Sequence, residues 1–189
     1  MKQIKKTITK AEIAAMPKVL FPGRIFVIYT ESEAEKAVAY LKDQRIVGVD
    51  TETRPSFKRG TTHKVALLQI STQDTCFLFR LNRIGMPDSL QEFLMSDTLK
   101  IGLSLKDDFN SLRKREDVHP DRGNWIELQD YVGRFGIADR SLQKSSPICL
   151  ARRFQKASVF PIGRRRCSAR DRNYMQPRMR GLVWKFTIA

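Results

Sequence analysis

Histidine and cysteine are scarce in this 189-residue chain, which holds two His and three Cys, and its 20 Asp/Glu are outnumbered by 35 Lys/Arg. His63 and His119 sit far apart in polar stretches with no partner, which excludes a histidine-based metal site. Cys76, Cys149 and Cys167 are too few and too scattered for a disulfide framework or a Cys-x-x-Cys zinc site, and they read as free thiols. Long hydrophobic runs are missing. Phe26-Val27-Ile28-Tyr29 and Val65-Ala66-Leu67-Leu68 stop far short of the roughly 20 apolar residues that span a bilayer. The basic start, Met1-Lys2-Gln3-Ile4-Lys5-Lys6, runs into polar residues instead of an apolar stretch, so no signal peptide is expected and a cytoplasmic location follows by default. What remains is 41% hydrophobic residues, enough for one core.

The formal charge of +15 suits attraction to a polyanion such as nucleic acid. Its distribution is uneven. Residues 145–189 hold 11 Lys/Arg against the single acid Asp171, which leaves +5 for residues 1–144. In that last stretch Gly163-Arg164-Arg165-Arg166, Ser168-Ala169-Arg170-Asp171-Arg172 and Arg178-Met179-Arg180 interrupt every apolar period. Pro147, Pro161 and Pro177 discourage long helices. A basic, disordered tail is the expectation there.

Ahead of it, strands and helices alternate. Thr9 with Glu12 has the spacing of a capping box, and so has Ser32 with Glu35, which would open a helix over Glu33 to Gln44. Ala34, Ala37, Val38, Tyr40 and Leu41 share one face of it. Strands are expected over Arg24 to Thr30, Arg45 to Asp50, Lys64 to Ser71, Thr75 to Leu81, Leu99 to Ser104 and Trp125 to Gln129. The short turn Thr72-Gln73-Asp74 makes the third and fourth of these an antiparallel hairpin. Helices are expected over Ser89 to Met95 and Lys106 to Arg115. The pattern predicts an α/β fold, a mixed β-sheet flanked by helices.

Ile46-Val47-Gly48-Val49 reads as a central strand buried on both faces, and Asp50 and Glu52 follow it. Alternate residues of an extended chain point the same way, so the two carboxylates share a face at the sheet's rim, where open α/β sheets form their sites. A lone Asp-x-Glu pair is more often a solvated turn. A third acid lies in the first turn of the helix after Ile101-Gly102-Leu103-Ser104, where Asp107 and Asp108 could each do no more than meet the helix dipole.

Together these segments resemble the DEDD 3′-5′ exonucleases, the family of ribonuclease D, the Werner-type exonuclease and polymerase proofreading domains. Val47-Gly48-Val49-Asp50-Thr51-Glu52 is similar to the family's first motif. Phe57, Leu68-Gln69-Ile70-Ser71 and Cys76-Phe77-Leu78-Phe79 resemble the substrate-side loop and hairpin that follow. Lys100-Ile101-Gly102 through Leu112 is similar to the second motif, and Trp125-Ile126-Glu127-Leu128-Gln129-Asp130 to the strand leading into the third. The resemblance implies a ribonuclease H-like fold over residues 21–144, after an N-terminal helical lead at 1–20 and before a basic tail at 145–189. It implies two Mg²⁺ or Mn²⁺ ions held by Asp50, Glu52 and Asp108, hydrolysis at single-stranded 3′ ends of DNA or RNA, and Thr51, Phe57 and Gln69 on the substrate side. Phe57 could equally be a core or rim aromatic.

The family's third motif, Tyr-x-x-x-Asp, is absent as a string. Read from the third base of each codon, Tyr174 onward can spell Tyr-Ala-Thr-Ala-Asp-Ala, with the first alanine forced by Met175-Gln176 and a glutamate forced by Trp184-Lys185. Ile148 to Lys156 re-reads in the same way as a helix and loop, so a frameshift near residue 145 is the expectation. The rival expectation is a non-catalytic nucleic-acid-binding module that uses this fold and the arginine tail.

Overall fold

Threonine hydroxyls start the first two helices. In the computed structural model, which describes residues 7–19, 21, 23–53, 63–134 and 153–154, Thr9 and Glu12 cap each other reciprocally to open α1 (Lys10–Ala15). The second box differs from the expected one. Thr30, not Ser32, caps α2 (Glu31–Lys42), and its partner is Glu33. The earlier box wins because the Glu33 carboxylate takes the Tyr29 amide at 2.8 Å as well as that of Thr30, satisfying two donors where the chain leaves its strand.

Six strands build the main sheet in the order β2-β5-β4-β3-β6-β7. These are β2 (Arg24–Ile28), β3 (Ile46–Thr53), β4 (Val65–Ser71), β5 (Thr75–Phe79), β6 (Leu99–Gly102) and β7 (Trp125–Glu127). The segments β3, β4 and β5 form an antiparallel meander, while β2, β6 and β7 join in parallel. Mixed direction is therefore borne out, as is the hairpin at Thr72-Gln73-Asp74. A separate two-stranded pairing joins β1 (Lys18–Val19) to β8 (Arg153–Phe154) in parallel.

The apolar alternation of the strands separates two layers. Ile28, Val47, Val49, Leu68, Ile70, Phe77 and Phe79 form one core cluster with Ala34, Ala37, Val38 and Leu41 of α2 and Leu90, Phe93 and Leu94 of α4 (Asp88–Met95). On the other face Phe21, Leu67, Cys76 and Leu78 form a smaller cluster. Cys76 is a free, buried thiol, as expected, and burial pushes its pKa well up. Among the described residues no helix is long and apolar enough to cross a membrane.

Boundaries moved for local reasons. The strand β3 runs on to Thr53, so Asp50 and Glu52 lie within it and not beyond its end. The strand expected to reach Ser104 stops at Gly102, because Ser104 turns left-handed at φ 63 and begins α5 (Leu105–Arg113). Trp125 to Gln129 is a strand only as far as Glu127, after which α6 (Leu128–Gly133) follows. Two short pieces carried too little periodicity to be read, α3 (Leu81–Ile84) and the 3-10 turn at Pro120–Arg122. The basic tail and its reading frame lie outside the described residues, Arg153 and Phe154 excepted.

Candidate active site

Strand register sets the site. Gly48 faces Ser71, Val49 faces Ile70, Asp50 faces Gln69 and Glu52 faces Leu67 across the β3–β4 ladder, with a register shift between Glu52 and Thr53. Side chains alternate, so Asp50 and Glu52 share a face with Gln69, Leu67 and Leu78, while Thr51 points to the other. Asp50 is only 6% exposed, and Glu52 is half-buried. The ladder irregularity immediately after Glu52 ends regular pairing there, a common position for a bulge beside a site.

Asp108 comes from the first turn of α5. Its Oδ1 accepts the Thr51 hydroxyl at 2.5 Å, so the helix acid meets the strand through the residue between the two strand acids. Asp107 is exposed, as expected. Thr51 and Asp108 are thus brought together, and Asp50 and Gln69 are brought into register. Among the described residues no three His, Cys, Asp or Glu side chains are grouped closely enough to hold a metal ion. His63 is exposed, and His119 pairs with Asp117 at 3.6 Å. Phe57 lies outside the described residues.

Gln69 is 1% exposed, and neither its amide oxygen nor its amide nitrogen has a hydrogen-bond partner. A buried amide without partners is costly, and such groups concentrate near sites. The donor chemistry nearby is carboxylate oxygen, which suits a hard divalent cation such as Mg²⁺ or Mn²⁺.

Sequence reasoning did not single out Glu127. Both of its carboxylate oxygens accept backbone amides at the start of α5, from Ser104 at 3.1 Å and from Leu105 at 2.7 Å. An open cavity of about 370 Å³ lies beside this turn, lined by Lys106, Phe109, Arg113, Trp125, Glu127 and Asp130. None of the three expected metal carboxylates lines it.

This arrangement, a meander of β3–β5 extended in parallel by β6 and β7 with an acidic central strand, is a ribonuclease H-like fold. The 3′-5′ exonuclease family model matches residues 25–143, and the chain belongs to that family, the DEDD 3′-5′ exonucleases. A 3′-5′ exonuclease of Arabidopsis thaliana is 33% identical over 105 residues, covering 49% of this chain and 36% of that protein. The bifunctional 3′-5′ exonuclease/ATP-dependent helicase WRN of Mus musculus is 29% identical over 122 residues, 61% of this chain and 9% of that one. The chain therefore spans about a third or less of these relatives. Among solved structures, the Aedes aegypti Nibbler EXO domain superposes with a TM-score of 0.65 at 15% identity, covering 87% of this chain and 85% of that one. An EXD2 exonuclease domain soaked in Mn superposes at 0.52 with 21% identity, covering 69% and 71%. At these identities the structures speak for the fold.

Proposed function

We propose that this domain removes nucleotides from the 3′ ends of nucleic acid by hydrolysis assisted by two divalent metal ions. One observation carries the reading: Asp50 and Glu52 share a face of the central strand while Asp108, from the following helix, is tied to the residue between them. Asp50, Glu52 and Asp108 would hold the ions, Mg²⁺ or Mn²⁺ by the chemistry of their oxygen donors, and the EXD2 domain soaked in Mn supports a divalent ion of this kind. Ions held by these carboxylates would supply a water of lowered pKa for attack on phosphorus and positive charge for the departing 3′ oxygen. The chain's own residues do the rest. Asp50, near the middle of the ladder, supplies a carboxylate that packing fixes. Glu52, less buried, supplies the carboxylate nearest the rim. Thr51, on the opposite face of β3 from Gln69, holds Asp108, and Phe57 and Gln69 stand on the substrate side in this reading. The partner is a single-stranded 3′ end, DNA or RNA, and a cytoplasmic location is part of the proposal.

A second reading is favoured by the missing Tyr-x-x-x-Asp string: a non-catalytic module that binds nucleic acid through this fold and the arginines of residues 145–189. Whether the reading frame is shifted near residue 145, which resequencing of the gene reads directly, decides between them. The experiment is release of mononucleotides from a labelled single strand, by the chain as written and by a version with the frame restored. Release that needs Mg²⁺ or Mn²⁺ and disappears in Asp50→Ala supports the enzyme. No release by either version, with metal-independent and salt-sensitive binding by the chain as written, supports the module.

A further inference from the structure

Helix α5 begins without a cap of its own. Ser104 occupies the N-cap position, yet its side chain makes no capping bond, and at φ 63 it is the one non-glycine residue with positive φ among the described residues. A left-handed serine is strained and persists only where its surroundings hold it. What holds it comes from β7. Glu127 accepts the Ser104 amide at 3.1 Å and the Leu105 amide at 2.7 Å, and it accepts its near neighbour Gln129 at 2.9 Å. The Gln129 side chain donates to the Ser104 hydroxyl at 3.1 Å. Two of the orphan amides of the helix start are therefore satisfied from another strand, by a charge of the sign that a helix start favours.

The chain of contacts continues from Ser104 to the site. The Ser104 carbonyl accepts the amides of Asp107 at 2.9 Å and Asp108 at 3.4 Å, and the Asp108 carboxylate accepts the Thr51 hydroxyl. Glu127 on β7, Ser104 after β6, Asp108 on α5 and Thr51 on β3 thus form one continuous path. We infer that Glu127 is a positioning residue for Asp108: it fixes the left-handed turn from which the helix, and with it the carboxylate of Asp108, takes its direction. This rests on the reading of Asp108 as a metal-binding carboxylate.

Carboxylate chemistry is specifically required. Glutamine keeps the length but offers one acceptor oxygen, and its amide group would face a backbone donor, so one of the two helix amides loses its partner. Alanine removes both. Loss of a group that orients a metal-binding side chain weakens metal affinity by about tenfold or more.

The test compares wild type, Glu127→Gln, Glu127→Ala, Asp108→Asn and the Glu127→Ala/Asp108→Asn double variant, using calorimetric titration with Mn²⁺ and amide hydrogen exchange across residues 104–109. The expected result is faster exchange and Mn²⁺ affinity weakened by about tenfold in Glu127→Ala, with Glu127→Gln in between. The double variant should bind no more weakly than Asp108→Asn, since Glu127 acts through Asp108. Wild-type affinity in Glu127→Ala or Glu127→Gln, or losses that add in the double variant, would overturn the inference. If wild type binds no Mn²⁺, the metal reading fails by itself. Exchange then decides for the clamp, and unchanged protection in Glu127→Ala and Glu127→Gln would refute it.

Discussion

The hydroxyl of Thr51 lies 2.5 Å from the carboxylate of Asp108, so the two motifs that carry the acids are joined by a direct side-chain bond. Replacing Thr51 with valine keeps the branched shape and deletes that bond. Thr51→Val is expected to lower stability by about 1 kcal/mol, and to weaken Mn²⁺ binding several-fold by removing one of the contacts that orient the Asp108 carboxylate. Thermal melting with and without Mn²⁺ separates the two effects. A melting curve and a metal affinity both equal to wild type would contradict the finding.

Gln69 holds an unpartnered amide at 1% exposure, directly across the ladder from Asp50. Methionine has nearly the same length and no polar atoms to desolvate. Gln69→Met is therefore expected to raise stability by about 1 kcal/mol, read as a higher melting temperature. A drop of that size would mean that the amide has a partner in solution.

Lys100 is fully buried under the end of α4, where its ammonium donates to the carbonyls of Ser96 and Thr98, each at 2.8 Å, and lies over Phe93 and Trp125. Burial pushes its pKa down to about 8, with Asp97 partly opposing. An unfolded lysine titrates at about 10.4. Between these values the unfolded chain keeps a proton that the folded one has released, so the Lys100 contribution rises with pH through that window and is level below it. The melting temperature of wild type minus that of Lys100→Met should grow more positive from about pH 8 to about pH 10. A difference that does not change with pH would rule this out.

Arg115 reaches from beyond α5 to the carbonyl of Val65 at 2.7 Å and to that of Leu81, stitching the start of β4 to α3. Removing a charged donor from two carbonyls costs more than removing a neutral one. Arg115→Met is expected to lose about 2 kcal/mol in urea denaturation. Full stability would show that solvent satisfies those carbonyls equally well.

Much of this was written in local patterns. The apolar run before Asp50, the Asp-x-Glu alternation and the Thr72-Gln73-Asp74 turn are short-range signals, and each landed where the structure has it. The spacing of Ser32 and Glu35 pointed to the wrong box, because the bond that favours Thr30 and Glu33 runs from the Tyr29 amide to Glu33 and leaves no mark in the spacing. The role of Glu127 was illegible for a deeper reason. Its partners, Ser104 and Leu105, lie more than twenty residues earlier, and nothing in Trp125-Ile126-Glu127 says where β7 will dock. The left-handed Ser104 was hidden likewise, since serine is no signal for positive φ.

The order of the strands also bears on how the chain reaches this state. The pairs β3–β4, β4–β5 and β6–β7 join strands consecutive in sequence, whereas β2 meets β5 with Arg24 opposite Thr75, and β3 meets β6 with Ile46 opposite Leu99. Closing long loops costs entropy before it returns contacts, so distant pairings form late. Mutations in the meander should slow refolding, while mutations in β2 or β7 should mainly speed unfolding, as stopped-flow chevrons would reveal. Asp50 and Glu52 thus lie in the part of the molecule that organises first, and Asp108 arrives only when β6 docks. The acid pair exists before the third acid does.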